Sequence, residues 1–130
     1  LSYPGKVTLL KFEDGSLANF EGPENTAIKS IHAGTILAIE NLFSNGTMVK
    51  IHHGDNLFST YSGLDSTTIK VHPGDHVGTG TTIAKITASA PSFFITMEKN
   101  NRPTSFTQEW QRTYPFRSST HLKEFVSSHF

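Results

Sequence analysis

Seven histidines and no cysteine stand among the 130 residues, so imidazoles and carboxylates must supply whatever metal-ligating chemistry the chain has. His52, His53, His72 and His76 lie within one stretch of sequence. Three such rings around an ion, with a fourth position open to water, would make a hydrolytic zinc site. Their spacing argues against it. His52 and His53 are neighbours in a strand-like run, and neighbours on a strand point to opposite faces. His72 and His76 flank Pro73-Gly74-Asp75, a turn expected at the surface, and His32 sits in a second turn with Ala33 and Gly34. We expect these rings to serve as hydrogen-bonding groups at strand ends and turns. No Ser-His-Asp or Cys-His arrangement offers a nucleophile instead.

The elements that position these side chains read as short strands. Residues 48–51 form an extended run that ends on His53-Gly54, and residues 57–61 alternate before Ser62-Gly63-Leu64. Residues 68–71 read as a short extended piece and 82–86 as a further strand. Upstream, residues 5–12, 27–30 and 35–40 read as strands, with 13–27 an irregular loop rich in Gly, Asn, Pro and Glu. Asn45-Gly46 has the composition of a tight hairpin turn. With no helical period before residue 104, the pattern predicts an all-β fold, a small antiparallel β sandwich or barrel.

Composition sets bounds on function. Hydrophobic residues make up 35% of the chain and charged residues 17%, which suits one folded domain. Eleven basic residues balance eleven acidic ones. Without a basic field or Lys/Arg runs, nucleic acid is not an expected partner. The apolar runs are too short for a membrane span. The start at Leu1 reads as a piece of a longer or processed chain, so membrane attachment is expected only through a segment upstream of it.

Two stretches go beyond a generic β domain. The first is Thr26-Ala27-Ile28-Lys29-Ser30-Ile31-His32-Ala33-Gly34-Thr35-Ile36, followed by Val49-x-Ile51-x-His53-Gly54. The second is Val71-x-x-Gly74-Asp75-x-Val77-x-x-Gly80-x-x-Ile83-Ala84. With Pro23-Glu24-Asn25-Thr26 before them and Tyr61-Ser62-Gly63-Leu64 between, they resemble the LytM/lysostaphin-type zinc metallopeptidase domain of bacterial cell-wall endopeptidases. The resemblance covers residues 5–103. Biotinyl and lipoyl carriers and the glucose-permease phosphocarrier share the Gly-Asp corner. The Met-Lys-Met turn of a biotinyl carrier is absent, however, and no second histidine clearly faces His53 for phosphoryl transfer.

The resemblance implies where zinc ligands should stand, and those positions are degenerate. The family's His-x-x-x-Asp segment aligns its His with Gly15 and its Asp with Asn19. The histidine expected after Tyr61-Ser62 is Gly63, and the closing His-x-His falls on Ser92-Phe93-Phe94. The sequence therefore predicts no catalytic residue, no metal and no cofactor. It points to a cell-envelope binding or regulatory module whose old site has become a groove lined by Asn19, Tyr61, Gly63, Ser92 and Phe94. The resemblance implies an extracytoplasmic, periplasmic or envelope location. It also implies a cell-wall amidase, another envelope protein or peptidoglycan as partner. A metal-dependent hydrolase or phosphocarrier using the remaining histidines is the alternative.

Residues 104–130 form an extension beyond the β domain of residues 1–103. From Thr120, an N-capping residue, Leu122, Phe125 and Val126 recur at helical spacing, with His129 continuing the stripe. Such a stripe needs a partner surface, and Trp110, Tyr114 and Phe116 offer further anchors for docking on the same domain. Truncation after Pro103 is then expected to strengthen binding to envelope extract or peptidoglycan in sedimentation assays. Abolished binding would make the extension the interaction element itself, and unchanged binding and stability would make it a linker.

Overall fold

The computed structural model describes residues 8–13, 17–42 and 46–103. Its strands are β1 (Thr8–Glu13), β2 (Leu17–Glu21), β3 (Ala27–Lys29), β4 (Gly34–Asn41), β5 (Thr47–Gly54), β6 (Leu57–Leu64), β7 (His76–Val77), β8 (Thr82–Lys85), β9 (Ser92–Lys99) and β10 (Arg102–Pro103). All ladders are antiparallel. The large sheet runs β1-β2-β9-β6-β5-β4-β7, with β10 beside β9, and curls into a half-barrel. β3 and β8 pair separately and contribute Ile28, Ile83 and Ala84 to the core that the large sheet encloses.

Period-two alternation explains why one face of the large sheet is buried. On β9, Phe93, Ile95 and Met97 point into the core, while Phe94 faces outward. Across the ladder Phe20 of β2 stacks on Phe93 at 5.3 Å between ring centroids. Val49 and Ile51 of β5, with Ser59 and Tyr61 of β6, complete the buried face.

Several expectations are corrected. Residues 17–21, read as loop, form β2, because their place between β1 and β9 supplies ladder partners on both sides that a polar composition does not forecast. The extended piece expected at 68–71 is preceded by a 3-10 turn, Ser66–Thr68, nucleated by Asp65: its carboxylate accepts from the Thr67 amide at 3.0 Å. Asn41 pairs with Thr47, Leu42 N–H donates to the Gly46 carbonyl at 2.8 Å, and Gly46 has φ +73°, as the hairpin expected at Asn45-Gly46 requires. Asn45 itself lies outside the described residues, as do Gly15 and the extension 104–130 with its expected helix. The Pro73-Gly74 corner is a turn closed by Asp75 N–H donating to the His72 carbonyl at 3.0 Å.

Tyr61 is wholly buried. Its hydroxyl accepts from the Ile31 amide at 2.8 Å and donates to the Lys29 carbonyl at 3.2 Å. A central strand thereby holds the chain segment that leaves β3. Tyr61→Phe removes the oxygen and strands a buried amide, so stability should fall by about 1–3 kcal/mol. Urea unfolding measures this, and an unchanged midpoint would show that the bond is dispensable.

Candidate functional site

β2, β9 and the end of β6 bring together four of the five positions that the sequence singled out. Asn19 lies directly opposite Phe94, Glu21 opposite Ser92, and Phe94 opposite Ser62. Gly63 follows Ser62 with φ +84°, and a Cβ added there would stand 3.4 Å from the Ser92 carbonyl oxygen and 4.0 Å from Phe94 Cδ2. Four positions separated by up to 75 residues thus occupy neighbouring points on the outer face. A histidine at 63 would need the left-handed backbone that glycine adopts freely and other residues adopt at a cost. Gly15, the fifth, lies outside the described residues.

Above these residues opens a groove of about 670 Å³, within the range of small-ligand sites. Phe94, 39% exposed, stands in it. Gly63, Ser62, Ser92 and Thr96 line it alongside Phe94, and Ala90, Pro91, Ser89 and Asp65 form a rim. Asn19 shares the face of Phe94, and its Oδ1 is buried with no hydrogen-bond partner among the described residues. Tyr61 does not belong here: its ring projects from the opposite face of β6 into the core.

The sequence reading missed the rim. Asp65 Oδ1 accepts from the Thr67 amide and hydroxyl at 3.0 and 2.7 Å, and Oδ2 accepts from Thr87 Oγ1 at 2.9 Å. Ser89 Oγ lies 3.4 Å from Oδ2. These donors, led by the Thr67 hydroxyl, hold the carboxyl below the usual carboxylate range. Alternation along β9 was enough to forecast Thr96 beside Phe94. Nothing local signals that residues 87–90 fold against Asp65.

The histidines are dispersed. His53 Nδ1 lies 2.9 Å from the Ala33 carbonyl and Nε2 lies 2.7 Å from Ser59 Oγ. A carbonyl only accepts, so Nδ1–H donates to it and the neutral ring's Nε2 accepts from the serine hydroxyl. Both nitrogens are occupied. His52 turns the other way and stacks on Phe58 at 4.7 Å. His72 and His76 are exposed at the Pro73-Gly74 corner, beside Asp75 (3.6 Å) and Thr35 (3.0 Å) respectively. His32 stays near His53, 5.5 Å between ring centroids. Among the described residues, no three His, Cys, Asp or Glu side chains gather to hold a metal ion.

This curled antiparallel sheet, with Gly63, Ser92 and Phe94 lining one outer groove, has the architecture of a metallopeptidase-type β domain. Residues 14–105 match the profile of Peptidase family M23, and the chain belongs to that family. It is similar to a protein assigned to M23 from Pseudomonas aeruginosa, with 27% identity and a TM-score of 0.66 over 80% of this chain and 47% of that one. The chain therefore spans about half the length of that relative. The catalytic domain of EnpA, a prophage-encoded M23 protein from Enterococcus faecalis, shares 20% identity and a TM-score of 0.59 over 81% and 85%. A chain of the SpoIIQ–SpoIIIAH pore-forming complex shares 16% identity and a TM-score of 0.58 over 80% of each chain. No curated protein sequence matches the chain.

The zinc that the family implies does not fit the residues present. Asn19 offers a neutral amide, Ser92 a hydroxyl and Phe94 no donor atom, where three firm ligands are required.

Burial carries a measurable consequence at His53. Desolvation, opposed by the Ala33 hydrogen bond and reinforced by the nearby His32 and His52, lowers its pKa from 6.5 to about 4. Below pH 6.5 the unfolded chain takes up a proton that the folded chain refuses. This contribution is therefore complete above that pH and is lost as the pH falls toward about 4, on the order of 3 kcal/mol in all. Urea unfolding between about pH 7.5 and about pH 4.5 should show the loss, and His53→Gln should flatten it. Equal slopes for the two proteins would assign the acid sensitivity elsewhere.

Proposed function

We propose that this M23 domain is a non-catalytic binding or regulatory module of the bacterial cell envelope. Its partner is a cell-wall amidase, another envelope protein or peptidoglycan itself. The observation that carries the reading is the cross-strand set Asn19, Phe94, Ser92 and Gly63. The scaffold that would converge zinc ligands is retained, while the side chains it converges are an amide, a ring, a hydroxyl and none. Such a surface can bind but lacks the groups to polarise a peptide bond or activate water. The occurrence of a similar fold in the SpoIIQ–SpoIIIAH complex supports assembly as one use of it. An extracytoplasmic location follows from the same reading. The phosphocarrier alternative is disfavoured because Nε2 and Nδ1 of His53 are both engaged.

The test uses purified protein. Calorimetric titration should find no stoichiometric zinc at micromolar affinity, and cell walls or glycine-rich peptides should remain uncleaved. Pull-down from envelope extract, with a peptidoglycan sedimentation control, should recover a partner. Chelator-sensitive hydrolysis by the unmodified protein would overturn the reading.

A further inference from the structure

The groove is uneven in charge. Among the described residues, Asp65 is the only ionisable side chain lining it, and its hydrogen-bond donors are the Thr67 amide and the hydroxyls of Thr67, Thr87 and Ser89, all neutral. Among the described residues, no Lys or Arg pairs with it. Neutral donors fix a carboxylate in place without cancelling its charge, so a unit of negative charge stands at the rim. The adjacent surface is apolar: Phe94 is 39% exposed, and Gly63, where a Cβ would come 4.0 Å from Phe94 Cδ2, adds no side chain beside that ring. Leu42 lines the same groove.

An extended ligand that satisfies both features carries a cation at the end of an aliphatic stem. Its charge type can be chosen. Oδ1 already accepts two hydrogen bonds, and Oδ2 one at 2.9 Å and a second at 3.4 Å. The carboxylate therefore offers no free two-oxygen fork for a guanidinium. An ammonium needs no fork. It is a compact charge with three rotatable donors, which the carboxylate and the lone pairs of the surrounding hydroxyls can share.

We propose that Asp65 makes this groove a reader of primary ammonium groups, taking a short peptide through a lysine-type side chain whose methylenes lie against Phe94. The assignment rests on the non-catalytic binding reading and names the ligand chemistry of that site. The groove volume of about 670 Å³ suits a few residues of peptide rather than a folded protein surface.

The experiment is an amide chemical-shift titration of the full chain with a capped Ala-Lys-Ala tripeptide and with the same peptide acetylated on the lysine Nζ. Asp65→Asn is titrated in parallel. Residues 62–65 and 89–94 should shift with the unmodified peptide. Acetylation, or Asp65→Asn, should each weaken binding about five- to tenfold, and added salt should weaken it further. Asparagine keeps an acceptor for the Thr67 amide. Should the variant nevertheless unfold, the acetylation comparison on the native protein decides alone. Equal affinity for both peptides, or no shift in the groove at millimolar peptide, would overturn the ammonium assignment and leave the binding-module reading standing. Chelator-sensitive cleavage of either peptide would instead overturn that reading.

Discussion

Much of this fold depends on one buried phenol. Burial pushes the Tyr61 hydroxyl well above its ordinary pKa, so it stays neutral. It meets the two backbone groups, Ile31 N–H and Lys29 C=O, that β3 presents where it leaves its short ladder with β8. A three-residue strand paired to a four-residue one has little stability of its own. Tyr61 fastens it to the middle of the large sheet, and Ile28, Ile83 and Ala84 then cap the apolar face that β5, β6 and β9 present. His53 adds a second fastening nearby, joining the Ala33 carbonyl to Ser59. Gly34 permits that approach: a Cβ there would collide with the His52 carbonyl and the Ile51 side chain.

The groove is the reverse side of the same arrangement. Side chains on β9 alternate, so fixing Phe93 and Ile95 in the core commits Ser92, Phe94 and Thr96 to the other face. Asn19 and Ser62 follow by register. The positions that the family resemblance assigns to ligands are therefore clustered whatever residues fill them, because the backbone ladder holds them together. In the reading proposed above, this separation of scaffold from chemistry lets an M23 domain lose a donor set and keep a concave surface. Asn19, on the same face, has a buried amide oxygen left unpaired among the described residues.

Charge refines that surface. The 87–90 turn closes on itself through the Thr87 and Ala90 backbones and reaches Asp65 through the Thr87 hydroxyl. Two segments more than twenty residues apart thus share one carboxylate. The rim is ordered by that bond while the floor is ordered by the sheet.

The sequence by itself determined the all-β class and the family. Alternating short runs and the Gly-Asp corner are local patterns, and the absence of a histidine at positions 15, 63, 92 and 94 needs no coordinates to be seen. It also separated His52 from His53, since adjacent strand residues must face opposite ways. Only the tertiary structure decided that residues 17–21 are a strand, because they pair with β1 on one side and, on the other, with β9 residues some seventy-five positions away. It removed Tyr61 from the groove as well. An alternating strand shows that two faces exist without showing which one is inward, and that choice was made by the backbone groups of residues 29 and 31 waiting on the core side. Asp65 became a rim residue for a similar reason: its role depends on the 87–90 turn between β8 and β9, whose Thr87 hydroxyl reaches it across more than twenty residues of sequence.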